Sequence, residues 1–107
     1  MRIEEKLFNR TEYRNKDGFL DSENDLPAVV YDEKHMLWYK NGLKHRDLKK
    51  PAEVWSCGKK FWYTNGRSMV WVKYKKTLLL VDRFDYYQSK DKKEFLELAS
   101  KNTIKEK

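Results

Sequence analysis

The chain has 107 residues, of which 38% are charged and 15% aromatic, and a formal net charge of +7. That length fits one domain, its apolar runs fall short of the roughly 20 residues of a membrane helix, and its single cysteine, Cys57, excludes a disulfide framework or a cysteine-built zinc site. The excess of lysine and arginine favours an acidic partner such as nucleic acid or an acidic protein surface.

The opening "MRIEEKLFNR" lacks the apolar stretch of a secretory signal, so a reducing, cytoplasmic location is expected. The segment "RIEEKLFNRTEY" that begins at Arg2 reads equally as helix or strand. A repeat follows. "WYKNGLKHR" at residues 38–46 returns as "WYTNGRSMV" at residues 62–70, 24 residues later. Without a gap the same spacing relates Gly18, Gly42 and Gly66, and it pairs Pro27 with Pro51, Ala28 with Ala52 and Val30 with Val54. Duplication explains such matches better than chance. The units run over about 18–41 and 42–65, and 66–89 reads as a decayed third copy.

Each unit reads as short antiparallel strands. Asn41-Gly42 and Asn65-Gly66 lie between aromatic and β-branched segments, and Asn-Gly suits the two positive φ angles of a type I′ hairpin turn. Second turns are expected at 32–35 and 56–59. Pro27 and Pro51 have no N–H and belong at a strand start or edge. "MVWVKYKKTLLLVD" at residues 69–82 continues with one or two more strands. Asp91 and Glu94 then form a capping box, and Phe95, Leu98 and Ala99 share one face of a helix over about 91–101. The final "NTIKEK" is expected to fray. The fold class is mainly β: an antiparallel meander of hairpin repeats in a single domain, with a C-terminal helix packed on the sheet.

Alternation along the strands sorts side chains into two faces. Ala28, Val30, Leu37, Tyr39, Ala52, Val54, Phe61 and Tyr63 form the expected core face. The other face carries Tyr31, Trp38, Lys40, Trp55, Lys60 and Trp62, an aromatic and basic surface suited to stacked bases or to a protein contact. Packing is the commoner use of a tryptophan at a fixed repeat position, so burial of these rings stands beside that reading. The connector "LKHRDLKKPA" adds Lys44, His45, Arg46, Lys49 and Lys50, whereas its counterpart "FLDSENDLPA" carries Asp21, Glu23 and Asp25. One end of the sheet is therefore expected to be acidic and the other basic, a polarity that could orient a partner or a second copy.

Catalytic and metal motifs are missing. His35, His45 and Cys57 lack ligand spacing, and no P-loop or nucleophile elbow occurs. No catalytic residue, metal ligand or cofactor site is assigned. A small nuclease using His45 with Arg46 or a tyrosine is the remaining enzymatic alternative.

"WYKNGLKHRDLKKPAEVW" resembles a MORN-like variant repeat, Trp-Tyr-x-Asn-Gly-x-x-His-Arg followed by Pro-Ala, over roughly residues 18–66. Such repeats resemble those of small proteins in tailed phages, large DNA viruses and some bacteria. Only one copy here keeps His45-Arg46; the equivalent positions are Asp21-Ser22 and Met69-Val70, and Leu26 and Lys50 replace the glycine before proline. The resemblance implies a hairpin-repeat fold and a binding role without catalytic residues. The expected function is that of a phage-type accessory protein binding and modulating a host protein in the host cytoplasm, with nucleic-acid binding as the alternative. The candidate contact residues are Tyr31, Trp38, Lys40, Lys44, His45, Arg46, Lys49, Lys50, Trp55, Lys60 and Trp62.

Overall fold

Alternating aromatic, β-branched and turn residues give the chain ten short strands in a computed structural model that describes residues 2–102. The fold is mainly β, an antiparallel meander with a C-terminal helix packed on a strand. The chain divides into two compact units, Met1–Arg67 and Ser68–Lys107.

In the first unit, β1 (Ile3–Lys6), β2 (Arg10–Arg14), β3 (Val29–Tyr31), β4 (Met36–Leu37), β7 (Glu53–Val54) and β8 (Lys60–Thr64) are antiparallel neighbours in that order. Between β4 and β7, β5 (Tyr39–Lys40) and β6 (Leu43–Lys44) form a separate two-stranded hairpin. The ambiguous N-terminal segment is thus the hairpin β1–β2. In the second unit, β9 (Arg67–Tyr74) pairs with β10 (Thr77–Asp82), followed by α1 (Arg83–Gln88) and α2 (Lys92–Asn102). Helix α1, capped by Asp82 Oδ1 accepting from the Asp85 N–H at 2.9 Å, had no clear periodic signal in its six residues. Asp91 caps α2, accepting from the Glu94 N–H at 3.1 Å as the sequence implied. Leu79, Val81 and Leu96 are the buried centre of this unit, with Val70, Val72 and Phe95 against them. Of "NTIKEK", only Asn102 lies among the described residues.

The repeat is a repeat of hydrogen bonds. The Ala28 N–H donates to the Leu37 carbonyl and the Ala52 N–H to the Phe61 carbonyl, both at 2.9 Å. Tyr31 N–H to His35 O and Trp55 N–H to Lys59 O close the second turns, again both at 2.9 Å. Asn41-Gly42 and Asn65-Gly66 have φ values of 47° and 84°, then 48° and 84°, the positive pair that a type I′ turn requires.

Successive left-handed residues also recur: Asn24-Asp25 at 55° and 59°, Leu48-Lys49 at 62° and 56°. This backbone aims the second carbonyl of each pair at the repeat tryptophan. Trp38 Nε1 donates to Asp25 O at 2.9 Å, and Trp62 Nε1 to Lys49 O at 3.0 Å. The tryptophan thus fastens each hairpin to the connector that precedes it.

The two faces differ from the sequence expectation. Val29 pairs with Leu37, and Val30 with Met36. Directly paired residues point to the same side, so the row is Glu12, Val29, Leu37, Glu53 and Phe61. Grouping Val30 with Leu37 was one residue out of register. Ala28, Leu37 and Ala52 are buried as expected, but so are Val29 and Trp38, and Phe61 is exposed.

Candidate functional site

The two connectors lie against each other and frame a cleft of about 400 Å³. Trp38 forms part of its wall, only 5% exposed, with the Arg46 guanidinium stacked 3.8 Å from the ring centroid. Arg46 Nε and Nη2 donate to the two Asp25 carboxylate oxygens at 2.9 and 3.2 Å, and Nη1 to the Pro51 carbonyl at 3.0 Å. Lys50 Nζ adds a bond to Asp25 at 3.0 Å. The Arg46 bond, with help from Lys50, holds the Asp25 carboxyl down at about 2. The expected acidic and basic ends are therefore not separate poles. Asp25 of one connector is neutralised by Arg46 and Lys50 of the next.

His45 continues the framework. Its Nδ1 accepts the Asn65 backbone N–H at 2.9 Å. A backbone N–H only donates, so a neutral imidazole here carries its proton on Nε2, which donates to Asp47 Oδ1 at 2.6 Å. One repeat earlier, Asp21 Oδ1 accepts the Asn41 N–H at 2.8 Å. His45 thus replaces an aspartate as the acceptor that holds an Asn-Gly turn.

The cleft brings together five predicted contact residues, Trp38, Lys40, His45, Arg46 and Lys50. Sequence reasoning set Asp21 and Asp25 at a separate acidic end rather than on this lining, and it missed Leu48. Leu48 is 72% exposed and left-handed, where the first copy has Asn24. The signal was that mismatch: Asn and Asp enter the left-handed region readily, whereas a bulky residue there is an outlier.

The other predicted residues lie elsewhere. Lys44 Nζ bonds Glu53 Oε1 at 2.9 Å, and His35 Nε2 lies 2.9 Å from Glu53 Oε2. Burial works against the Lys44 charge, but the Glu53 bond and its neighbours outweigh that and raise its pKa. Arg10 and Arg14 similarly bond the buried Glu12, both at 2.7 Å, and the Arg10 bond leads in lowering its pKa. Tyr31 and Trp55 stack on opposite sides of His35, with ring centroids 5.2 and 3.8 Å away. Lys49 and Trp62 are partly buried, and Lys60 is exposed. The expected aromatic face of Trp38, Trp55 and Trp62 is not one surface: Trp38 is buried, and Trp55 shares the row of His35.

Among the described residues no three His, Cys, Asp or Glu side chains are placed to hold a metal ion, and no helix is long and apolar enough to cross a membrane. The chain matches no protein-family model, no curated protein and no solved structure.

Proposed function

We propose that the chain is a non-enzymatic binding protein that docks a protein partner on the connector cleft, in the manner of a small phage accessory protein acting on a host factor in the host cytoplasm. Leu48 carries this reading. An exposed leucine gains nothing from folding, and its left-handed backbone costs on the order of 1–2 kcal/mol. A partner that buries it recovers hydrophobic energy, about 1.5–3 kcal/mol for a full leucine. The Trp38–Arg46 platform behind it is held rigid by Asp25, which lowers the entropy lost on docking. The cleft's Arg46 and Lys50 already serve Asp25, so they suit a protein contact better than a run of phosphates. A nuclease role for His45 has less support, because both ring nitrogens are engaged.

Affinity capture from host lysate, with and without nuclease treatment, tests the reading. The wild type should retain one stoichiometric protein after nuclease treatment, and Leu48→Asp should lose it while melting at the same temperature or higher. Capture that vanishes with nuclease, or survives in Leu48→Asp, contradicts it.

A further inference from the structure

At the opposite strand ends of the first unit from the connectors, one cross-strand row reads Arg10, Tyr31, His35, Trp55 and Lys59. Arg10 pairs with Tyr31 in the sheet register. Tyr31 and His35 flank one turn, and Trp55 and Lys59 flank the next. Continuing the pairing of Met36 with Val54 sets His35 opposite Trp55. The three rings stack nearly parallel, 16° and 18° apart, and the Arg10 guanidinium lies 5.9 Å from the Tyr31 centroid. The column is closed at the arginine end and open at Trp55.

Trp55 is 41% exposed, and its second ring face meets no ring or cation among the described residues. Its indole N–H has no acceptor there either, whereas Trp38 and Trp62 each donate to a carbonyl. Lys59, the next position in the row, is exposed and makes no ion pair among the described residues, and the same holds for Lys60. This contrasts with the paired Lys44, Arg46 and Lys50. Asp32 and Glu33 occupy the preceding turn, so the basic side of this edge is the one beyond Trp55. A fully exposed ring, Phe8, stands on the same edge; its neighbour Asn9 accepts from the Asp32 N–H at 3.0 Å.

We infer that the open face of Trp55, with Lys59 beside it, is a stacking site for single-stranded nucleic acid. A flat π-face, a free N–H donor and an unpaired ammonium together match a base joined to a phosphate, and stacking on an aromatic ring is tolerant of sequence. Lysine–phosphate contact adds a salt-dependent share. This surface is separate from the connector cleft, so either can fail without the other.

The test is fluorescence anisotropy of labelled oligouridylate, oligodeoxythymidylate and a duplex of equal length with the full chain, across a salt series. Single strands should bind more tightly than duplex. Trp55→Ala should weaken binding by about tenfold to a hundredfold, and Trp55→Phe should restore most of it. Lys59→Ala should reduce the slope of log affinity against log salt by about one. Leu48→Asp should bind as the wild type does. Because Trp55→Ala removes a ring stacked on buried His35, Lys59→Ala, which alters only an exposed side chain, decides the matter should that variant unfold. No binding at low salt, an unchanged salt slope in Lys59→Ala, or equal affinity in a folded Trp55→Ala overturns the inference. So does a glutamate–tyrosine copolymer that binds as tightly as the oligonucleotides and displaces them, which would assign the site to an acidic protein segment.

Discussion

Asp25 shows how one side chain holds two repeats together. Its backbone carbonyl accepts from Trp38, and its carboxylate accepts from Arg46 and Lys50. The carboxyl pKa falls from 3.8 to about 2 in the folded chain. A carboxyl whose folded pKa lies below its unfolded value stabilises the fold above the unfolded pKa, and that stability is lost as pH falls through the folded one. The window is therefore about pH 4 down to about pH 2. The side chain is 43% exposed, so solvent screening trims the contribution to about 1 kcal/mol. Asp25→Asn should cost about that much at neutral pH. The gap between the two melting curves should close across that window, and a gap that persists at pH 2 would show that the charge is not what stabilises. Leu48 is the converse case. Its backbone angle does the job that Asn24 does one repeat earlier, with a side chain poorly suited to it.

At the scale of the element, the Asn-Gly hairpin joins a backbone requirement to a packing requirement. Gly42 has φ of 84°, and a Cβ there would lie 3.2 Å from Phe19 Cδ1; Gly66 repeats both features against Leu43, at 3.3 Å. Gly42→Ala should lower the urea midpoint by an amount equal to about 1–2 kcal/mol, with an unchanged slope. No loss would mean that the turn adopts another form. This device was half legible. Asn-Gly names the turn, but nothing near it announces that residues 19 and 43 will rest on the glycines one repeat later. The turns, the strands over 69–82 and the Asp91 cap followed from local chemistry, which a short window contains. The register did not. Whether Val29 or Val30 lines up with Leu37 depends on the 31–35 turn, and an error of one residue exchanges the faces. Helix α1 escaped notice because six residues carry too little periodicity.

For the whole molecule, the sequence gives +7 and invites an electrostatic reading. The fold redistributes that charge. Arg10, Arg14, Lys44, Arg46 and Lys50 are paired with Glu12, Glu53 or Asp25, so the basic connector is structural in large part. Of the predicted contact residues, those at repeat-conserved positions, Trp38 and Trp62, fasten hairpins to connectors. The candidate surfaces rest in part on two residues outside that set, both of which depart from the repeat: Leu48 against Asn24 and Lys59 against His35. Composition cannot distinguish a lysine that closes an ion pair from one that faces solvent, because the difference is tertiary.

On the proposed docking role, Leu48 keeps a costly conformation for the sake of a contact. Leu48→Asn installs the residue that the first repeat uses at the same backbone angle. The deciding measurement compares that variant with the wild type for melting temperature and partner capture in one preparation. The expected result is a melting temperature higher by about 4–8 °C, equivalent to about 1 kcal/mol, together with weaker capture. A variant that melts lower, or that captures its partner as well as the wild type, would contradict it.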